Sequence, residues 1–172
     1  RGASATQPEN TRAAFESALA GGADGVECDL HMLADGTIIV LHDDTMRRTA
    51  TLSPGASESI LDADVSTLGW DDVRRIDIGG GERLLTFPAF LDVVGDHSRM
   101  AFVELKGGDL AMVEPAAAAA EASPGARWRT ATSTALSCSA RAGIVWSPPQ
   151  PRRLRRSRVP RCCCRRAPEE RQ

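Results

Sequence analysis

The sequence predicts an α/β fold, because segments with helical and with strand periodicity alternate along the first 122 residues. Gly and Pro separate most of these segments, as expected at the ends of helices and strands. The length of 172 residues and the hydrophobic content of 42% suit one globular domain with its own core.

The first element is a short amphipathic helix within residues 11–22. Its apolar residues lie on one helical face, and Gly21 and Gly22 provide a stop. Residues 25–32 then alternate between apolar and polar side chains, which predicts a half-buried strand. The apolar helical positions are Ala14, Phe15, Ala18 and Leu19.

A turn at Asp35-Gly36 separates this strand from a second one over residues 37–41, so the two form a hairpin. A two-residue loop pairs Ala34 with Thr37, Asp29 with His42, and Glu27 with Asp44. Directly opposed Cβ atoms lie about 5 Å apart. Glu27, Asp29, His42 and Asp44 are therefore expected in one patch, while Asp35, Asp24 and His31 are interpreted as turn or surface residues.

The remaining elements continue the alternation. Residues 50–65 are interpreted as a polar loop, and Ser66 is expected to cap a helix that runs to about Ile76. Pro88 favours a helix over residues 87–97, residues 101–105 form a short apolar strand that carries Glu104, and residues 110–122 are expected to be helical.

The acidic patch has two interpretations. Neighbouring carboxylates that are all ionised at neutral pH favour a cation between them, and oxygen ligands suit Ca²⁺ or Mg²⁺. The alternative is the solvated polar face of an amphipathic hairpin. A separate calcium-binding module is excluded at residues 62–73, because this segment lacks the Gly and Glu that an EF-hand loop requires.

Charge divides the chain into two parts. Residues 1–123 hold 21 acidic and 9 basic residues, a net charge of −12, whereas residues 124–172 hold 2 and 12, a net charge of +10. The second part lacks sustained periodicity and is rich in Arg, Pro and Cys. We interpret residues 123–172 as a non-native or disordered tail, for example from a gene read in the wrong frame.

An arginine-rich arm that binds nucleic acid or acidic lipid is the alternative for this tail. The run from Arg152 to Arg166 contains no aromatic residue, which disfavours nucleic-acid binding. The cysteines show neither a disulfide framework nor zinc-site spacing, and no apolar run is long enough for a membrane span.

Several separated motifs resemble the glycerophosphodiester phosphodiesterase family. They are RGAS and PENT near the start, the ExD of Glu27 and Asp29, the HDD that begins at His42, and the ELK of residues 104–106. The resemblance covers residues 1 to about 122 and implies the N-terminal part of a TIM-type (β/α)8 barrel, incomplete here, with an insertion at about residues 50–85. It also implies metal-dependent hydrolysis of glycerophosphodiesters, small-molecule substrates, to an alcohol and glycerol 3-phosphate.

The resemblance assigns a role to each matching residue. His42 corresponds to one of two catalytic histidines, and Arg1 and Lys106 correspond to phosphate-binding residues. Glu9 and Asn10 would shape the site. The residues that match the family's divalent-metal ligands are Glu27, Asp29 and Glu104.

Some of these residues also have a purely structural interpretation. They are helix capping for residues 9–11, a frayed terminus for Arg1 and a solvated strand end for Lys106. The family's other catalytic histidine and first strand would precede Arg1, and further strand and helix pairs would follow residue 122. An inactive remnant that binds a divalent cation or phosphate is therefore the alternative function. The headgroup, the choice between Ca²⁺ and Mg²⁺, the compartment and the oligomeric state stay open.

Overall fold

The computed structural model describes residues 1–51, 57–97, 100–106, 110–123, 127–131 and 143–147. Within these residues the strands are β1 (Gly25–Met32), β2 (Ile38–Val40), β3 (Leu85–Thr86), β4 (Met100–Leu105), β5 (Arg127–Ala131) and β6 (Gly143–Ser147). The α-helices are α1 (Arg12–Ala20), α2 (Ser59–Asp62), α3 (Trp70–Val73), α4 (Phe87–His97) and α5 (Val113–Glu121). Two 3₁₀ turns cover Val65–Thr67 and Leu110–Met112.

The strands form one sheet in the order β3-β2-β1-β4-β6-β5. β1 and β4 are parallel and adjacent, and their register pairs Asp29 with Glu104. The other neighbouring strands are antiparallel. Because β1 and β4 run in the same direction, two acidic residues near their carboxyl ends lie side by side.

The hairpin of β1 and β2 exists, but the predicted register is wrong by one residue. Leu30 pairs with Val40, and the Leu41 N–H donates to Asp29 O at 3.0 Å, so Asp29 opposes Leu41 instead of His42. The loop has three residues, 34–36, because Leu33 N donates to Thr37 O at 2.9 Å. Inside the loop, Gly36 N donates to Leu33 O, and Gly36 has a φ of +83°. This is the favoured geometry for a three-residue hairpin loop, in which Gly occupies the left-handed position.

Gly36 offers a direct test of this loop. We expect Gly36→Ala to lower the free energy of unfolding by about 1–2 kcal/mol, since L residues are disfavoured at positive φ. A Cβ at this position meets nothing within 4 Å, so the cost would come from the backbone alone. Urea denaturation measures the change, and Gly36→Asn is the matched control because Asn tolerates this conformation better. Equal losses for the two variants would contradict the assigned loop geometry.

The first hydrophobic core lies between one face of the sheet and the helices α1, α4 and α5. Phe15 of α1 and Phe90 of α4 are fully buried and meet edge to face, with their ring centroids 4.8 Å apart. From β1, this core takes Val26, Cys28 and Leu30. The alternation of β1 therefore leaves Glu27, Asp29 and His31 on the opposite face.

A second hydrophobic core lies beside β2 and includes residues of the segment that follows it. Ile39 and Leu41 belong to this core, whereas Ile38 and Val40 belong to the first one. β2 therefore contributes to both cores. The other members of the second core are Leu33, Met46, Leu61, Val65, Val73, Ile76, Ile78 and Leu84.

The segment between β2 and β3 differs from the predicted loop and helix. A short helix, α2, lies inside the expected polar loop, and the expected helix from Ser66 to Ile76 is replaced by a 3₁₀ turn and the one-turn helix α3. The Asp64 side chain, rather than that of Ser66, accepts the capping N–H, at 2.9 Å from Ser66 N. Gly69 then separates the two turns, and its N–H donates to Asp72 Oδ2 at 2.9 Å.

Two strands occupy part of the basic segment for which we expected no regular structure. β6 pairs with β4, and β5 pairs with β6, so the backbone groups along the free side of β4 are hydrogen-bonded. Both strands contain β-branched and aromatic residues, which favour extended structure. Cys138, Cys162–Cys164 and the run from Arg152 to Arg166 lie outside the described residues.

Candidate active site

Three carboxylates meet on the sheet face opposite the first core. Glu27 and Asp29 come from β1 and Glu104 comes from β4, and one oxygen of each lies within 4.8 Å of the others. Asp29 is only 1% exposed, whereas Glu27 and Glu104 are partly exposed. The parallel register of β1 and β4 produces this acidic cluster, because it places Glu104 beside Asp29.

Two basic side chains neutralise part of the acidic cluster. Arg1 Nε lies 3.3 Å from Asp29 Oδ2, and Lys106 Nζ lies 3.0 Å from Asp29 Oδ1 and 2.7 Å from Glu104 Oε1. Burial lowers the pKa of Lys106, but its bonds to Glu104 and Asp29 outweigh burial, so the pKa is raised overall. Both predicted phosphate-binding residues therefore lie next to the acidic cluster.

The loop before α1 positions Arg1. Gly2 has a φ of +74°, and a Cβ there would lie 2.5 Å from the backbone carbon of Ala14. Only glycine allows this approach without movement of the helix. Ala3 N donates to Ala14 O at 2.9 Å, and Asn10 N donates to Arg1 O at 3.1 Å. These two hydrogen bonds tie the start of the loop to α1 and to Asn10, which lies just before the helix.

Asn10 contacts the acidic cluster from an uncommon backbone conformation. Its φ is +58°, it is 1% exposed, and its Nδ2 donates to Asp29 Oδ2 at 3.2 Å. Among the described residues, its Oδ1 has no hydrogen-bond partner. The helix-capping alternative applies to Thr11, whose Oγ1 accepts from Ala14 N, and not to Asn10.

His42 follows β2 and is held by its neighbour. Its Nδ1 lies 2.6 Å from Asp43 Oδ1, and both side chains are about one-third exposed. A hydrogen bond from Arg48 holds the pKa of Asp43 well below its usual range. An ionised carboxylate only accepts hydrogen bonds, so Nδ1 of His42 is the donor and Nε2 of the neutral ring stays unprotonated.

Arg48 is a site residue that the sequence did not reveal. It donates to Asp43 at 2.6 and 3.1 Å and to Glu9 at 2.7 and 3.1 Å. The hydrogen bonds to Glu9 and Asp43 raise the pKa of Arg48, and the bond from Arg48 lowers the pKa of Glu9. Arg1 Nη1 also reaches Glu9, at 3.4 Å. Glu9 therefore links Arg1 to Arg48.

Asp44 and His31 differ from their predicted positions. The ladder of β1 and β2 ends near Asp29 and Leu41, so no strand pairing brings Asp44 opposite Glu27. His31 is 6% exposed and is therefore not a surface residue. Its Nε2 lies 3.4 Å from His42 O, and burial lowers its pKa.

The donor set suits a hard divalent cation. Three carboxylates supply the negative charge and oxygen ligands that Ca²⁺ and Mg²⁺ prefer, and the unpartnered Asn10 Oδ1 provides a further oxygen beside Asp29. The carboxylate atoms are close enough to share one ion.

None of the described helices has the length and apolarity needed to cross a membrane.

Comparisons with known proteins identify the family of this chain. Residues 1–130 match the model of the glycerophosphoryl diester phosphodiesterase family. A glycerophosphodiester phosphodiesterase of Caldanaerobacter subterraneus is 32% identical over 115 residues, which are 63% of this chain and 44% of that protein.

Solved structures show the same fold. A glycerophosphodiester phosphodiesterase from Agrobacterium tumefaciens is 31% identical, with a TM-score of 0.58 over 69% of this chain and 50% of that one. An Oleispira antarctica phosphodiesterase in complex with sn-glycerol-3-phosphate is 26% identical, with a TM-score of 0.53 over 62% and 42%. The predicted fold class, the N-terminal part of a TIM-type barrel, is confirmed, and the chain spans half or less of these proteins.

Proposed function

Because the chain belongs to the glycerophosphoryl diester phosphodiesterase family, we propose that it carries part of a cation-dependent site that hydrolyses glycerophosphodiesters to an alcohol and glycerol 3-phosphate. The observation that supports this most strongly is the meeting of Glu27, Asp29 and Glu104 with two basic side chains at adjacent parallel strands. The site lies near the carboxyl ends of these strands, where TIM-type barrels place their chemistry. The Oleispira antarctica relative binds the product that this reaction would release.

In this proposal, Glu27, Asp29 and Glu104 hold one divalent cation, Ca²⁺ or Mg²⁺. When bound, such an ion neutralises phosphate charge and polarises the phosphorus. Asp29 is the most buried of the three proposed ligands, and its two oxygens also pair with Arg1 and Lys106. Asn10 shapes the site by donating to one of these oxygens.

Arg1 and Lys106 would contact the phosphate oxygens of the substrate. Both carry positive charge at the edge of the acidic cluster, and both are less than half exposed. A guanidinium offers several donors in a fixed plane, whereas an ammonium acts as a mobile point charge. Glu9 supports Arg1 through Nη1, whereas Asp29 pairs with Nε of the same side chain.

His42 would transfer a proton during phosphodiester cleavage. Its Nδ1 donates to Asp43, so its Nε2 is the atom that accepts or returns a proton. Imidazole suits this role because its unperturbed pKa lies near neutrality.

We also propose the domain boundaries predicted above, with the phosphodiesterase part over residues 1–122 and a basic tail over residues 123–172. The insertion at about residues 50–85 corresponds to the segment that builds much of the second core. The family match extends to residue 130, eight residues past the proposed boundary.

The test is a measurement of product release. The purified protein is incubated with glycerophosphocholine and Mg²⁺ or Ca²⁺, and glycerol 3-phosphate is followed by ³¹P NMR. We expect product with the cation and none after EDTA treatment. Cation binding without any product would support the inactive remnant instead. Turnover that survives both EDTA and His42→Ala would rule out the proposed mechanism.

A further inference from the structure

We propose that Arg48 is a positioning residue, which clamps Asp43 against Glu9 and thereby fixes the orientation and the protonated nitrogen of His42. The catalytic meaning of this inference rests on the proposed function, but the clamp itself does not. Arg48 need not touch substrate in this role, because it acts on His42 through Asp43.

The first step is the geometry of the guanidinium. Nε and Nη2 of Arg48 donate to the two oxygens of Asp43, and Nη1 and Nη2 donate to the two oxygens of Glu9. Both contacts are therefore bidentate, and the planar guanidinium holds two carboxylates in defined positions. Only arginine offers enough donors in one plane to make both contacts.

The second step concerns the hydrogen bond between Asp43 and His42. Asp43 Oδ1 accepts from Arg48 Nη2 at 3.1 Å and also contacts His42 Nδ1 at 2.6 Å. Because Arg48 holds both oxygens of Asp43, rotation of the carboxylate would break two hydrogen bonds. The acceptor for Nδ1 of His42 is thus fixed in space, and the neutral ring is held in the tautomer whose Nε2 is free.

The third step is the contact between Arg48 and its second carboxylate, Glu9. Glu9 lies in the loop before α1 and is 39 residues from Arg48 in the sequence. The same Glu9 pairs with Arg1. The clamp therefore ties the segment after β2, which carries the proton-transfer histidine, to the loop that carries a phosphate-binding arginine.

Imidazole ¹⁵N NMR of the full chain tests the clamp directly. The protein contains three histidines, so His31→Gln and His97→Gln assign the His42 signals by elimination. The ratio of the Nδ1–H to the Nε2–H tautomer is read at a pH where the ring is neutral. Arg48→Met removes the clamp, and Arg48→Lys keeps the charge without the bidentate geometry.

Arg47→Met is the matched control. Arg47 is the preceding residue and also makes a bidentate pair, but its partner is Asp62 instead of Asp43. Losing this exposed pair should leave the tautomer ratio of His42 unchanged. If Arg48→Met does not fold, Glu9→Gln provides a milder variant that weakens only the outer anchor.

We expect Arg48→Met to lower the tautomer ratio about five-fold, the equivalent of one hydrogen bond. Arg48→Lys should recover part of the ratio, and Glu9→Gln should show a smaller loss. In the product-release assay, Arg48→Met should lower kcat about ten-fold with KM unchanged. An unchanged ratio in both Arg48→Met and Glu9→Gln would overturn the clamp. A wild-type chain without turnover would overturn the proposed function, while the tautomer comparison still decides the clamp.

Discussion

Replacing His42 by alanine is expected to lower kcat for glycerophosphodiester hydrolysis by about 100- to 10,000-fold, the usual contribution of a general acid or base. The reason is that His42 is the described residue that combines a hydrogen-bonded Nδ1 with an Nε2 left for proton transfer. KM should change little, because Arg1 and Lys106, which we propose to contact the substrate phosphate, remain. Initial rates of glycerol 3-phosphate release over a range of glycerophosphocholine concentrations measure both constants.

His97→Gln is the control for this variant. His97 is the last residue of α4, and β4 starts three residues later, so it lies at the amino end of β4, whereas Glu104 is near the carboxyl end. This control should keep the wild-type rate. A loss of less than ten-fold in His42→Ala would show that another group transfers the proton.

Replacing Asp29 by asparagine is expected to weaken divalent-cation binding by about 100-fold, since affinity in oxygen-ligand sites depends on the number of charged ligands. Asp29 is the most buried carboxylate of the acidic cluster and contacts Arg1, Lys106 and Asn10. Asparagine keeps the size of the side chain and removes its negative charge. Isothermal titration calorimetry with Mg²⁺ and with Ca²⁺ measures the affinity without any need for turnover.

Asp71→Asn serves as the comparison for Asp29→Asn. The Asp71 side chain is 89% exposed and pairs with Arg74, a neighbour in the same short segment. Its replacement should leave cation affinity unchanged, because Asp71 is not part of the acidic cluster. It should also change the free energy of unfolding little, since exposed ion pairs contribute little to stability. Near-UV circular dichroism shows whether Asp29→Asn retains its tertiary packing. Wild-type affinity in a folded Asp29→Asn would exclude the acidic cluster as the cation site.

Period-two alternation predicted the sidedness of β1 correctly but not the pairing of the hairpin. Val26, Cys28 and Leu30 do face a core, and Glu27 and Asp29 do share the other face. The register failed because the Asp35-Gly36 pair fits both a two-residue and a three-residue loop. A two-residue type I′ loop needs positive φ at both residues, but Asp35 does not have it and only Gly36 is left-handed. The longer loop results, and it moves every opposed pair by one residue.

The local sequence pattern could not predict the contacts between residues that are far apart in the sequence. Spacing alone offered no reason to join Glu104 to Asp29, because the parallel pairing of β1 and β4 brings together residues 75 positions apart. The family resemblance did associate them. Neither approach found Arg48, since its two partners lie in different segments and only one of them is near it in sequence.

The two hydrophobic cores give the site an uneven resistance to local unfolding. The carboxylates stand on β1 and β4, whose apolar faces belong to the first core, whereas His42 follows Leu41 and precedes Met46, both in the second core. Proteins open in cooperative parts, each with its own free energy. An opening confined to the second core would release the imidazole and leave the acidic cluster assembled. In hydrogen–deuterium exchange, amides near His42 would then exchange before those of β1, and cation affinity would outlast the capacity for proton transfer.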